Sequence, residues 1–167
     1  MKDRLTASDI KKMEEEIEYR KVTLRHELLE HVKVARAQGD LSENFEYKAA
    51  KMEKNKNESR IRYLERMLKN AQVIDDSSKD GEVGINNRVT VEFTDDHSKA
   101  SYKIVTSVRS NSLKGLISIE SPLGKALMGH RVGDVVGVTV DENNSYEVKI
   151  KEIEDTTDDA EDEIRKY

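Results

Sequence analysis

The sequence has no cysteine and no tryptophan, and only one proline, two phenylalanines and eight glycines in 167 residues. Without cysteine there can be no disulfide, no thiol nucleophile and no thiolate metal site. The four histidines, His26, His31, His97 and His130, lack the spacing of a helical His-Glu-x-x-His metal pair. No stretch approaches the roughly 20 apolar residues of a membrane span, and the N-terminus lacks the apolar core of a secretory signal, so a cytoplasmic protein is expected. Apolar residues are scarce as well: 35% of the chain is hydrophobic and 38% charged. Little of it can sit in a core, and an elongated molecule solvated all round over part of its length is expected rather than a sphere. The net charge of −5 is uneven, because Glu154 to Tyr167 holds seven acids and two bases and the remainder balances at 27 of each.

Glycine is not only rare but late. The first, Gly39, opens the stretch Gly-Asp-Leu-Ser-Glu-Asn-Phe-Glu-Tyr47, which separates two long charged segments free of glycine and proline. Thr6-x-x-Asp9 reads as a helix start, with the hydroxyl accepting from a free backbone N–H and the acid favouring the positive helix end. Ile10, Met13, Ile17, Leu24, Leu28, Val32 and Ala35 follow, with Lys21 the one polar intruder. This eleven-residue repeat predicts an apolar stripe on a nearly straight helix. A second helix is predicted from about Ser42 to Ala71. Phe45, Ala49 and Met52 open its stripe, which lapses at Asn55 to Ser59 and returns with Tyr63, Leu64, Met67, Leu68 and Ala71. Neither helix can bury its stripe alone, so an antiparallel hairpin with Asp40 and Glu43 at its far end is the economical solution.

From residue 76 the composition changes. Residues 76–84 read as a polar linker, and beyond them the hydrophobic period becomes two. Arg88–Phe93, Tyr102–Val108, Leu116–Ile119, Val135–Val140 and Tyr146–Ile150 read as strands, with Asp141 to Asn144 as a hairpin loop. Ser121 to Gly129 reads as a short helix with Ser at the cap, Pro in the first turn and Gly beyond the end. Residues 85–153 therefore form a small α+β domain, and the charged tail 154–167, poor in large apolar residues, is expected to be disordered or frayed.

Asp40 and Glu43 are the sharpest candidates for chemistry. Asp-x-x-Glu at a helix start is also a capping arrangement, and on local pattern alone the cap is the simpler reading. Two carboxylates alone make a poor magnesium site, since Mg²⁺ demands near-octahedral oxygen and is commonly held by one or two carboxylates with phosphates and waters. Delivered to a site that already supplies phosphates and acids, the pair could complete the second position of a two-metal centre. Glu46 is expected to face solvent, Phe45 to pack the first helical turn, and Tyr47 to anchor the tip or stack on a partner. Lys48, Lys51, Lys54, Lys56, Arg60, Arg62, Arg66 and Lys69 give the second helix an excess of positive charge suited to phosphate or to an acidic wall, although such a run also fits a solvated helix face. Gly124, Gly129 and Gly133 show no phosphate-loop spacing, and Ser121 near Lys125 reads as a cap rather than a nucleophile.

Three motifs in order, Gly39 to Tyr47 followed by Ala49-Ala50, Asn70-Ala-Gln-Val-Ile74, and Ile117 to Gly129, resemble the GreA/GreB family of bacterial transcript cleavage (elongation) factors. The resemblance covers about residues 5–153. It implies an N-terminal coiled-coil hairpin over residues 1–75 and an FKBP-like domain over 85–153. The globular domain would dock at the rim of the RNA polymerase secondary channel while the hairpin reaches down it. Asp40 and Glu43 would help hold the second Mg²⁺ and its attacking water in the polymerase, which then cuts the 3′ end of a backtracked nascent RNA. Phe45, Tyr47, Lys48, Lys51 and Arg60 would touch RNA or the channel. The chain would act as a monomeric accessory factor with no membrane partner, binding no cofactor stably by itself. Phe45 departs from the pattern, standing where many relatives carry a small residue, and the tail lies outside it. Two other readings follow from the same resemblance. One is a paralogue that occupies the channel without promoting cleavage. The other is a prolyl isomerase, which the lack of tryptophan and the presence of only Phe93 as a phenylalanine in that half argue against.

Overall fold

The computed structural model describes residues 2–38, 44–75, 80–155, 159 and 162–166. The chain divides into two compact units, one of Met1–Asp3 with Ile10–Ala71 and one of Arg4–Asp9 with Gln72–Tyr167. A division placed only near residue 75 therefore misses that residues 4–9 group with the second unit. A short strand β1 (Asp3–Leu5) pairs with β2 (Ala71–Val73), and the Ile74 N–H donates to Leu5 O at 2.9 Å.

The hairpin unit contains helix α1 (Ala7–Tyr19), a π turn over Arg20–Leu24, α2 (Arg25–Ala37) and α3 (Phe45–Lys69). The reciprocal cap expected before α1 forms: the Thr6 N–H donates to Asp9 Oδ2 at 3.0 Å and the Asp9 N–H to Thr6 Oγ1 at 3.2 Å. A single straight helix over residues 10–35 does not form, because the π turn inserts an extra residue into the ladder. Its first carbonyl, that of Arg20, accepts from the Arg25 N–H and from Asn57 Nδ2 on the returning helix. The two arms run antiparallel, as the pairings Ala35 with Asn44, Arg25 with Glu58 and Glu16 with Arg60 require.

The inward face of α3 differs from the expected stripe. Tyr47, Ala50, Lys54, Asn57, Ile61, Leu64 and Leu68 are partly or wholly buried, a seven-residue repeat with alternating steps of three and four. Phe45, Ala49 and Met52 are exposed. The stretch that reads as a lapse holds the polar centre of the hairpin, since Asn57 and Arg60 are buried there. Apolar periodicity cannot register a seam whose middle is polar, and the phase taken from Phe45 was therefore wrong.

The second unit is α+β. Strands β3 (Arg88–Phe93), β4 (Lys99–Val105), β5 (Leu116–Ser118), β6 (Val135–Asp141) and β7 (Asn144–Glu154) form one sheet in the order β5-β4-β3-β7-β6, and α4 (Pro122–Leu127) completes the unit. Only β4 and β5 are parallel; the other neighbours are antiparallel. Val89, Val91, Ile104, Ile119, Leu127, Val138, Val148 and Ile150 lie at the centre of the core. β4 starts three residues before its expected position and stops at Val105. Thr106 to Arg109 leaves the strand because the Thr106 hydroxyl and the Arg109 guanidinium both turn to Asp9. β6 and β7 meet at the expected loop, where Asp141 Oδ1 accepts from the Asn143 N–H.

Candidate functional site

The helix boundaries define the end of the hairpin that carries the tip sequence. α2 ends at Ala37, and α3 begins at Phe45 rather than near Ser42 because Asn44 is its N-cap. The Asn44 side chain accepts from the Tyr47 N–H at 2.9 Å and donates through Nδ2 to Ala35 O at 2.7 Å. One residue thus caps α3 and ties its start to the last turn of α2, satisfying a free donor of the first helical turn. Gly39, Asp40, Leu41, Ser42 and Glu43 connect these tied ends and lie outside the described residues.

Around this end the described side chains are mostly exposed. Phe45 is 79% exposed, so it does not pack the first turn; the Lys48 Nζ stands 5.8 Å from its ring centre. Lys48, Lys51 and Glu46 are exposed, and Tyr47 is half-buried on the inward face. A recess between the helices is lined by Glu30, His31, Val34, Ala35, Gln38, Glu46 and Ala50. Among the described residues no cluster of three or more His, Asp or Glu could hold a metal ion.

The expected basic face divides on inspection. Arg60 is not on the surface at all: it is 6% exposed, with Nε 2.8 Å from Glu16 Oε2, and that oxygen also accepts from Arg20 Nε at 2.7 Å. The second guanidinium, that of Arg20, donates through Nη1 to Asn57 Oδ1 at 2.9 Å. Burial by itself would raise the Glu16 carboxyl, but the hydrogen bonds and charges of Arg60 and Arg20 outweigh it and hold the group below its usual range. Arg60 therefore belongs to the lock between the two arms and is removed from the set of residues that touch a partner. Lys56 pairs with Glu53, Arg62 donates to Ser59 Oγ and the Arg66 guanidinium lies 5.9 Å from the Tyr63 ring, whereas Lys48 and Lys51 stand exposed near the start of α3.

In the second unit the motif Ile117 to Gly129 folds as its residues suggest. Ser121 accepts from the Gly124 N–H at 3.0 Å, Pro122 opens α4, and Gly129 follows its end at φ +81°. Gly124 is required by close approach, since a Cβ there would stand 2.0 Å from Ser118 O. Ser121 is a cap whose own hydroxyl donates to Ser118 O at 2.6 Å.

Sequence reasoning missed a buried polar cluster in this unit. Arg109 is fully buried; its Nε donates to Asp9 Oδ1, and its Nη1 to Asn86 Oδ1 at 2.7 Å and to Asp162 Oδ2 at 2.9 Å. Asn86 holds a left-handed φ of 72° while its N–H donates to Ile104 O. One signal was available, because Arg109 is the only charged residue between Lys103 and Lys114. The tail also departs from expectation. β7 extends to Glu154, and beyond it Asp162 accepts from Lys103 Nζ and the Arg165 N–H donates to Val108 O at 2.7 Å.

Among the described residues no helix is long and apolar enough to cross a membrane. Residues 4–73 match a family model described as "Transcription elongation factor, N-terminal", and residues 78–155 match "Transcription elongation factor, GreA/GreB, C-term". The chain is 44% identical over 149 residues to the transcription elongation factor GreA of Macrococcus caseolyticus, covering 89% of this chain and 94% of that protein. It is 49% identical over 137 residues to GreA of Thermoanaerobacter pseudethanolicus, covering 81% and 87%. Among solved structures, GreA factor homolog 1 of Thermus thermophilus is similar at 29% identity, covering 92% of this chain and 99% of that one, with a TM-score of 0.43. Both halves of the sequence thus match in order, and the chain belongs to the GreA/GreB family of transcription elongation factors.

Proposed function

We propose that this factor inserts its hairpin into the secondary channel of RNA polymerase and stimulates endonucleolytic cleavage of the 3′ end of backtracked nascent RNA. Asp40 and Glu43 are the residues that act at the polymerase active centre. The observation that supports this role is the cap of α3. Asn44 takes the Tyr47 N–H, so α3 has a side-chain cap that is neither of the two acids. They belong to a five-residue connection bracketed by helix ends that Asn44 ties to Ala35.

Hard carboxylate oxygens suit Mg²⁺, and two of them are too few to retain it, which fits a pair that joins ligands supplied by a partner. When bound, such an ion orients and activates a water for in-line attack on phosphorus. Lys48 and Lys51 offer exposed positive charge near the start of α3, suited to drawing a polyanion toward the hairpin end, and Phe45 offers an exposed aromatic face on which a base could stack. Tyr47, half-buried, supports the start of α3 from within. The sheet unit would serve as the dock at the channel rim, and the catalysis would remain the polymerase's own.

The test uses a halted, backtracked transcription complex with a labelled RNA 3′ end. Wild-type protein is expected to release short 3′ fragments. Asp40→Ala and Glu43→Ala are expected to reduce release to the level of polymerase alone while competing with wild type for the complex. Binding by the wild type with no cleavage would replace the proposal by that of a channel competitor. A Lys51→Glu variant is expected to weaken binding more at low salt than at high salt.

A further inference from the structure

The two edges of the five-stranded sheet are built differently. An edge strand carries a row of unpaired N–H and C=O groups that another strand can take, and proteins ordinarily shorten, charge or cover it. β5 follows that rule: it is three residues long, and Asn111 bridges Leu116. β6 does not. It has seven residues, contains neither proline nor lysine, and carries its one charge at the terminal Asp141. Among the described residues β7 is its one strand partner.

The bonds of β7 fix which groups of β6 face that edge. Ile150 accepts from the Gly133 N–H at 2.8 Å and donates to Asp134 O at 2.9 Å, whereas Glu147 O accepts from the Thr94 N–H, beyond the end of β3. Backbone groups alternate in direction along an antiparallel strand, so Val148 and Tyr146 face β6 as Ile150 does. Their register partners, Val136 and Val138, therefore exchange bonds with β7. Val135, Gly137 and Thr139 turn their N–H and C=O groups outward, and the register irregularity after Thr139 ends the regular run.

Two further observations mark this edge as a place for another backbone. Gly137 sits at its middle, and a Cβ there would meet nothing within 4 Å, so packing inside the chain does not demand the glycine. Glycine within a strand is a mark of close approach by another backbone. Around it Val132, Val135 and Val140 are 57%, 54% and 53% exposed.

Charge selects the occupant. Asp134 stands at one end and Asp141 with Glu142 at the other, roughly 23 Å apart for extended chain at about 3.3 Å per residue. Asp134 accepts from the Arg131 N–H and lies 3.1 Å from His130 Nδ1, and Asp141 accepts from the Asn143 N–H and from Asn144 Nδ2. Among the described residues neither forms an ion pair with a lysine or arginine. A second copy of the chain fits poorly. Antiparallel pairing about Gly137 sets Val135 against Thr139 but brings Asp134 of one copy beside Asp141 and Glu142 of the other at both ends, and facing like charges are unfavourable.

We propose that the β6 edge is a strand-addition site for an extended segment of another protein, with alternating β-branched residues at its centre and lysine or arginine at both ends. Main-chain bonds to Val135, Gly137 and Thr139 supply the affinity, and the flanking charges set the register.

The test uses the full chain and a fluorescently labelled peptide, Lys-Lys-Val-Thr-Val-Thr-Val-Lys-Lys. Wild type is expected to bind it, with affinity falling as salt rises. Gly137→Pro removes an outward N–H while leaving the bonds of Val136 and Val138 to β7, and is expected to weaken binding by about tenfold or more. Asp134→Asn combined with Asp141→Asn is expected to weaken binding and flatten its salt dependence. Peptides with glutamate for every lysine, or with proline for the central valine, are expected not to bind. Hydrogen exchange on wild type supplies a measurement free of any variant: saturating peptide is expected to slow the amides of Val135, Gly137 and Thr139 and to leave Val136 and Val138 unchanged. No binding by wild type, equal binding by Gly137→Pro, equal binding of the proline peptide, or unchanged exchange at the three outward amides each overturns the proposal.

Discussion

In the hairpin unit the described apolar side chains that are buried are Met13, Ala35, Ile61 and Leu64, whereas the sheet unit buries a cluster of twelve around β3, β4, β6, β7 and α4. A buried aliphatic side chain contributes roughly 1.5–3 kcal/mol, and an exposed ion pair about 0–1 kcal/mol. The sheet unit is therefore held by apolar burial, with its one dense charged cluster an added constraint. The hairpin has a thin apolar seam and relies on Glu16, Arg20, Asn57 and Arg60 to set which residue of one arm meets which residue of the other. The cost is a smaller margin against local opening.

Three measurements would break or sharpen this contrast. The largest effect is expected in the sheet unit from Arg109→Ala, which removes the buried cation that Asp9 and Asp162 share; a loss of about 3–5 kcal/mol is expected in urea denaturation. A loss below that of an ordinary surface substitution would mean that the charged cluster contributes no constraint. Next, Leu64→Ala removes a fully buried leucine of the hairpin and Leu127→Ala one of the sheet unit. Each is expected to cost about 2–5 kcal/mol locally. Hydrogen exchange should show Leu64→Ala speeding amides of α2 and α3 while β3 and β7 stay protected, and uniform acceleration of both units would erase the distinction drawn between them.

The smallest effect concerns acid. The folded Glu16 carboxyl sits below its ordinary value, so the unfolded chain binds the proton more readily. Its contribution is complete above roughly pH 4.3 and is lost as pH falls through the lower folded value. Helical signal assigned to α1 and α3 should therefore decline below about pH 4.3. Glu16→Gln is expected to start weaker at neutral pH and to show a flatter decline. An identical acid profile for the two proteins would remove the polar lock from the account of the hairpin.

What could be read from the sequence was local. The Thr6-x-x-Asp9 cap, the Ser121-Pro122 start of α4 and the alternation of β3 all depend on residues within a few positions of one another, and the structure has them. The family motif at the hairpin end was equally legible, although Asp40 and Glu43 themselves lie outside the described residues. The facts that escaped reading depend on partners far along the chain. Arg60 looks like one more base on a basic helix until Glu16, 44 residues away, is brought to it. Arg109 looks like the end of a strand until Asp9, 100 residues away, takes its guanidinium. The tail appeared too polar to pack because charge was counted by sequence neighbourhood, whereas Lys103 and Arg109 wait for it across the fold.

The π turn makes chain length itself a constraint on this factor. Each helical residue turns the axis by about 100°. Losing one residue between Arg20 and Leu24 would swing α1 around its own axis by that angle relative to α2, taking Glu16 off Arg60 while leaving every side chain chemically intact. Substitutions along the arm are therefore graded in their effect, but a single-codon deletion in this turn is all or nothing.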